Sequence, residues 1–269
     1  MKKMVPKDVI CYLFPSPDQD IVEIAISARI MPEPGVLARI SRILAKHNIR
    51  ILALNFSSRN ERRFIIAFID ISKSDITLNE LIDEIRNLGF VDDVLVKEKK
   101  VNKVIIDGLG YPMTSGCGEV DMILINRDSF SELISRLYEE WRDAGASFMF
   151  HQGKALGAGD ARMFLRYLAG GVEKDAIREI LNIILAYGWG IPEVVSLRDD
   201  VIVVRIYNSF EALRMKFKMG EPMCFFIKGY IIGLLSTLLG IEIADAEEIK
   251  CIAKGDEYCE FRIPLRGKY

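Results

Sequence analysis

Histidine is nearly absent from this chain of 269 residues; the only two are His47 and His151, far apart in sequence. With so few, no H-E-x-x-H run and no Ser–His–Asp set can be assembled, so the familiar hydrolytic routes lack their side chains. No dinucleotide fingerprint is present, and the run from Gly153 to Gly159 (G-K-A-L-G-A-G) lacks the spacing of a phosphate loop. Net charge is only −2, which excludes a nucleic-acid surface spread over the whole protein. Glutamine occurs twice against 28% charged residues, a balance that fits heat adaptation. An uninterrupted membrane span is also missing. The most apolar stretch, Met223 to Ile243, is broken by Lys228, Glu242 and three glycines, so it reads as a buried core helix. The first residues break at Pro6, Pro15 and Pro17 after few apolar positions and do not read as a secretory leader. Five cysteines are too few for a disulfide scaffold, and the odd count points to a reducing cytoplasm.

What is there divides into two halves, each with enough apolar residues for a core. Val22 to Ile30 alternates like a half-buried strand, and Pro32-Glu33-Pro34-Gly35 turns into a helix over Val36 to Ala45. Strands follow at Ile49 to Asn55 and Arg63 to Ile71. A helix over Thr77 to Leu88 opens with a Thr77–Glu80 capping box, and Val91 to Val96 closes the set. The order is βαββαβ, the split ferredoxin-like unit, over residues 20–98. Residues 99–122 turn rich in Gly, Pro and Ser and read as a linker, with Cys117 among glycines either as a plain loop cysteine or as an exposed thiol.

The third part, 123–265, opens with an amphipathic helix over Ser129 to Ala144, capped by Ser129 or Asp128. Small residues at Gly153, Ala155, Gly157, Ala158 and Gly159 allow close helix packing or a loop near a ligand. A helix over Lys174 to Ala186 and a hairpin, Val194 to Leu197 with Val201 to Tyr207, follow. The last fifth carries the chemistry. An apolar helix begins at Cys224, Cys251 follows on a strand, and a turn at Gly255 brings the chain back through Cys259. Such a hairpin places Cys251 near Cys259, and the helix start can supply Cys224. With Glu248 (E-x-x-C), three thiolates and one carboxylate suffice for a closed tetrahedral zinc site. Glu247 is a rival for the carboxylate, and three buried cysteines acting as small hydrophobes are the plainer reading.

Two resemblances add to this. Cys224, Gly229, Tyr230, Gly233, Ser236, Gly240, Glu248, Cys251, Gly255 and Cys259, with Gly188-Trp189-Gly190 and Asn208-Ser209 upstream, resemble the 4-vinyl reductase family. The likeness is strongest to sensor domains of aromatic-responsive bacterial activators. It implies a mixed α/β domain distantly like transport-particle subunits, a hydrophobic ligand pocket and often zinc. By that likeness, Phe148, Phe150, Trp189, Phe226 and Tyr230 are candidates to line the pocket, from a wider aromatic set that includes Phe164, Tyr167 and Phe225. His151 is a weaker candidate. The run E-P-G-V-L-A-R-I at the first turn and H-N-I-R-I-L at the second strand resemble an ACT domain. That family commonly binds amino acids between paired subunits, which would put Glu33, Gly35 and Val36 in contact with one. The turn carries Pro32 where the family often has Asp, so amino-acid binding and plain dimerisation both stand.

The expectation is an α/β (α+β) protein: a cytoplasmic, homodimeric ligand sensor with zinc, acting through an unidentified protein partner and binding neither nucleic acid nor membrane. A reductase of vinyl- or tetrapyrrole-like substrates and an assembly adaptor without a small ligand are the rival readings. No catalytic residues are expected.

Overall fold

Alternation of apolar and polar residues along Val22–Ala28 sets the first sheet, because successive strand side chains point to opposite faces. The computed structural model describes residues 4–9, 11–31, 34–98, 103–168, 172–215 and 220–265. The chain divides into two units, Met1–Leu124 and Ile125–Tyr269. The expected α+β class is observed.

In the first unit β1 (Tyr12–Leu13), β2 (Ile21–Arg29), α1 (Val36–Lys46), β3 (Arg50–Arg59), β4 (Arg62–Asp70), α2 (Leu78–Arg86) and β5 (Val91–Glu98) follow in order. The four long strands pair antiparallel in the order β3-β4-β2-β5, the arrangement of a split βαββαβ unit. Val22, Ile24, Ile26 and Ala28 share a core with Ile40, Leu44, Leu81 and Ile85 of the helices. The Thr77–Glu80 capping box forms: the Thr77 hydroxyl accepts the Glu80 N–H at 3.3 Å, and the Glu80 carboxylate accepts the Thr77 N–H at 2.8 Å.

The expected linker carries structure within its described residues: β6 (Ile105–Ile106) pairs with β1, and β7 (Thr114–Ser115) with β8 (Val120–Asp121). Ile105 and Leu13 pack on Ile21 and Phe68, on the sheet face turned away from α1 and α2. Beside them Glu23, fully buried, accepts N–H bonds from Gly108 at 3.0 Å and Leu109 at 3.2 Å.

The second unit runs α3 (Arg127–Leu165), α4 (Lys174–Leu181), α5 (Ile183–Ala186), β9 (Ile191–Leu197), β10 (Val201–Tyr207), α6 (Phe210–Leu213), α7 (Phe225–Leu239), β11 (Glu247–Lys250) and β12 (Cys259–Pro264). Its sheet is antiparallel, in the order β11-β12-β10-β9. Asn126 caps α3, accepting the Ser129 N–H at 3.0 Å, so Ser129 and Asp128 are not the cap. α3 also does not end near Ala144. It breaks at Arg142 (φ 43, ψ −120) and resumes to Leu165.

The glycines of that resumed stretch meet α7. A Cβ on Gly153 or Gly157 would strike the carbonyl oxygens of Phe226 and Tyr230, and one on Gly229 or Gly233 those of Phe150 and Lys154. The contact is reciprocal, so the two backbones cross at a distance only glycine permits. α7 is apolar on every side and buried through most of its length, as a central core helix should be. No helix among the described residues is long and apolar enough to cross a membrane.

Candidate metal centre and aromatic cluster

Three elements converge on one point in the second unit. Cys224 stands at the N-cap of α7, Glu248 lies on β11, and Cys259 begins β12. Cys251 falls just past β11, where a tight turn starts. Asp256 closes that turn by accepting the Cys251 N–H at 2.8 Å, and Gly255 (φ 105) takes a left-handed conformation that other residues resist. The hairpin geometry read from the spacing is thus present, with a one-turn 3-10 segment, Ile252–Lys254, at its tip.

The four side chains bring one ligand atom each within 4.8 Å of one another. Cys224 Sγ lies 3.3 Å from Cys259 Sγ, which lies 3.9 Å from Cys251 Sγ, and all three cysteines are fully buried. Glu248 Oε2 accepts the Cys224 N–H at 3.1 Å. Its Oε1 is buried with no hydrogen-bond partner. A buried carboxylate oxygen without a donor is costly, and here its neighbours are three sulfurs that also bind soft cations. Glu247 is exposed, one residue along the same strand and therefore on the other face.

The charge state follows from crowding. Burial pushes the Glu248 carboxyl up to about 9, and burial raises the Cys224 thiol as well. Cys251 is held low by sulfhydryl hydrogen bonds from Cys224 and Cys259, so without a cation the cluster concentrates its negative charge on one sulfur. Donors are ready for more thiolate charge. The Ile252 N–H points to Cys259 Sγ at 3.4 Å, the Ser209 hydroxyl lies 3.5 Å from Cys224 Sγ, and the positive end of α7 faces Cys224.

The proposed pocket aromatics divide. Trp189, Phe226 and Tyr230 assemble: the indole lies 5.2 Å from the Phe226 ring and 4.9 Å from Tyr230, centroid to centroid. Phe210 and Tyr187 join them, at 6.1 and 5.1 Å from Trp189. The Tyr230 hydroxyl donates to Asp160 at 2.7 Å, and burial raises the Asp160 carboxyl. Phe150 is half-buried beside the Lys228 ammonium, while Phe148 is half-exposed and His151 exposed. An open surface hollow on α3, between Ser129 and Trp141, is lined by none of the five candidates.

In the first unit Glu33 and Pro32 lie outside the described residues. Gly35 (φ 149) precedes α1, and the Val36 side chain is buried in the core, leaving its backbone as the part that could touch a ligand. His47 is clasped between Asp75 at 2.7 Å and Glu84 at 2.8 Å, and the Asp75 hydrogen bond foremost raises its pKa.

Two buried residues went unread in the sequence. Ser209 touches the Cys224 sulfur, and Glu211 bonds the start of α7. A single acid in the short apolar run Phe210–Leu213 was the only signal, and it gave no hint of a partner.

Comparison with known proteins places these residues further. Residues 202–265 match the 4-vinyl reductase domain. An uncharacterised protein of Methanocaldococcus jannaschii is 32% identical over 79 residues, 29% of this chain. The match spans 44% of that relative's length. Among solved structures, the phenol-responsive sensory domain of the transcription activator PoxR with phenol is similar over 55% of this chain and 78% of its own, at TM-score 0.46 and 20% identity. The ACT domain of GTP pyrophosphokinase from Chlorobium tepidum is similar over 29% of this chain and 99% of its own, at TM-score 0.25 and 17% identity. A trafficking protein particle complex subunit 3 from Naegleria fowleri, bound covalently to palmitic acid, is similar over 54% of this chain and 96% of its own (TM-score 0.37, 17% identity). The second unit therefore carries a 4-vinyl reductase domain over residues 202–265, a span that contains all four side chains of the cluster.

Proposed function

We propose that this chain is a ligand-sensing regulatory protein whose second unit is built around a structural zinc. Cys224, Glu248, Cys251 and Cys259 would hold the ion. The observation that carries this is Glu248 Oε1, buried among three sulfurs and lacking any donor. A dication there supplies the charge that keeps all four ligands deprotonated. Four protein ligands make a closed set, which suits a structural role. The first unit is an ACT-type module that pairs two copies or takes an amino acid at Glu33, Gly35 and Val36. Its edge strands β3 and β5 support pairing, because each bonds one neighbour among the described residues and β3 exposes Ile51, Leu52 and Phe56. A small hydrophobic molecule would enter at the cluster around Trp189, and output would pass to a protein partner.

An assembly adaptor is the second reading. It is favoured by the way Trp189, Phe210, Phe226 and Tyr230 fill space against one another. Native mass spectrometry of the purified chain separates the two. The sensor reading expects a dimer carrying zinc and gaining mass with a bound apolar ligand. A zinc-loaded species that takes up no member of a small-aromatic panel would leave the adaptor, and a metal-free species would remove the common foundation.

A further inference from the structure

We infer that Glu211 is the positioning residue of the metal centre, fixing the start of α7 and through it the Cys224 sulfur; the inference rests on the metal-site reading above. Glu211 is 1% exposed, and its carboxylate is fully engaged. Oε1 accepts the Phe226 N–H at 2.7 Å and the Tyr138 hydroxyl at 2.5 Å, and Oε2 accepts the Ile227 N–H at 3.0 Å. Those N–H groups lie in the first turn of α7, where no carbonyl of the helix can reach them. A Ser, Thr, Asp or Asn at the N-cap would ordinarily answer them. Here the N-cap is Cys224, whose side chain makes no capping bond and is turned to the other sulfurs.

The capping task has therefore moved to a carboxylate from α6. Two bonds to successive N–H groups fix both the height and the rotation of the helix start. Tyr138, on α3, fixes the carboxylate in turn. Ser209, two residues before Glu211, reaches the Cys224 sulfur directly. One short segment thus holds the ligand through its backbone and through its sulfur. Outer partners of this kind orient metal ligands, and losing one commonly weakens metal binding about 10–100-fold.

The test uses the full chain loaded with Co²⁺, whose thiolate charge-transfer and ligand-field bands report the site without any assay of activity. Release is timed after adding a chelator in excess. Glu211→Gln keeps the shape but turns an amide NH2 toward one of the N–H groups, so release should quicken about 10–100-fold and the bands should shift. Ile184→Val, a cavity change in the same core, controls for stability and should release at the wild-type rate. Wild-type bands and release in Glu211→Gln, or equally fast release in Ile184→Val, would overturn the positioning role while leaving the metal site standing. If Glu211→Gln does not fold, Tyr138→Phe is read in its place, with faster release expected and an unchanged rate counting against the role. A wild-type chain with no thiolate–cobalt bands would overturn the metal-site reading itself, and this inference with it.

Discussion

Glu248 and Glu23 are both buried carboxylates, and each shows what a residue's surroundings demand of it. Glu248 leaves one oxygen without a donor, the mark of a place for a cation. Glu23 has donors in Gly108 and Leu109, yet burial, with a hydrogen bond to Asp107, pushes its carboxyl up to about 7 from an ordinary 4.5. A folded-state pKa above the unfolded value means the folded protein binds the proton more tightly. The stability this gives is full below about pH 4.5 and is lost as pH rises through about 7. Glu23→Gln should therefore flatten the stability of the first unit across that window, whereas the wild type falls. Parallel melting curves for the two proteins from pH 4.5 to 7.5 would refute the assignment. At this scale the sequence was informative wherever spacing was. The intervals among Cys224, Glu248, Cys251 and Cys259 foretold a cluster that the fold assembles. The choice between Glu247 and Glu248 was not legible, because a one-residue step along a strand reverses the face and needs the register to decide it. Ser209 and Glu211 were hidden because their partners, a sulfur and two backbone N–H groups, come from a helix that begins only at Phe225.

Secondary elements were legible where period and capping agreed, as in α1, α2 and the four long strands of the first unit. α3 was legible only to its break. Beyond Arg142 the run H-Q-G-K-A-L-G-A-G has glycines where helix propensity asks for better formers, and local preference alone does not favour a helix there. What stabilises it is non-local: Gly153 and Gly157 let α7 come close enough for its Gly229 and Gly233 to answer in kind. A methyl group at this crossing meets backbone, which cannot swing aside as a side chain would. Gly157→Ala, although it improves helix propensity, should destabilise the second unit by about 1–3 kcal/mol, the usual cost of overpacking. Urea unfolding can decide this, and an unchanged or raised midpoint would mean that the helices do not pack this closely. The same crossing explains why the apolar stretch around α7 need not be a membrane span. Its faces are covered by α3, by the sheet and by the metal cluster's own hairpin.

On the scale of the whole molecule the chain has two cores of different character. The first is built from alternating strands under two amphipathic helices, and its order βαββαβ could be read directly from period changes. The second depends on an all-apolar helix whose start is tied to a terminal hairpin by three sulfurs and a carboxylate. Binding free energy of a structural ion feeds into folding only where the ligands meet, so removing metal should act on one unit alone. After chelation, hydrogen exchange should accelerate in α7, β11 and β12 while β2, β4 and α2 keep their protection. Uniform loss of protection in both units, or none in either, would contradict that division. The ligand and the partner were not legible, because aromatic residues that line a pocket and aromatic residues that fill a core are written with the same letters. Of the five pocket candidates only Trp189, Phe226 and Tyr230 come together.

The central claim is that Cys224, Glu248, Cys251 and Cys259 form a metal site rather than a cluster of packed thiols. The most direct measurement is the zinc content, by elemental analysis, of the chain purified under reducing conditions, beside Cys259→Ser and Cys11→Ser prepared identically. The account predicts about one zinc per chain in the wild type and in Cys11→Ser, and close to none in Cys259→Ser. A wild type that stays free of zinc after refolding with the metal, or a Cys259→Ser variant that retains it, would contradict the account.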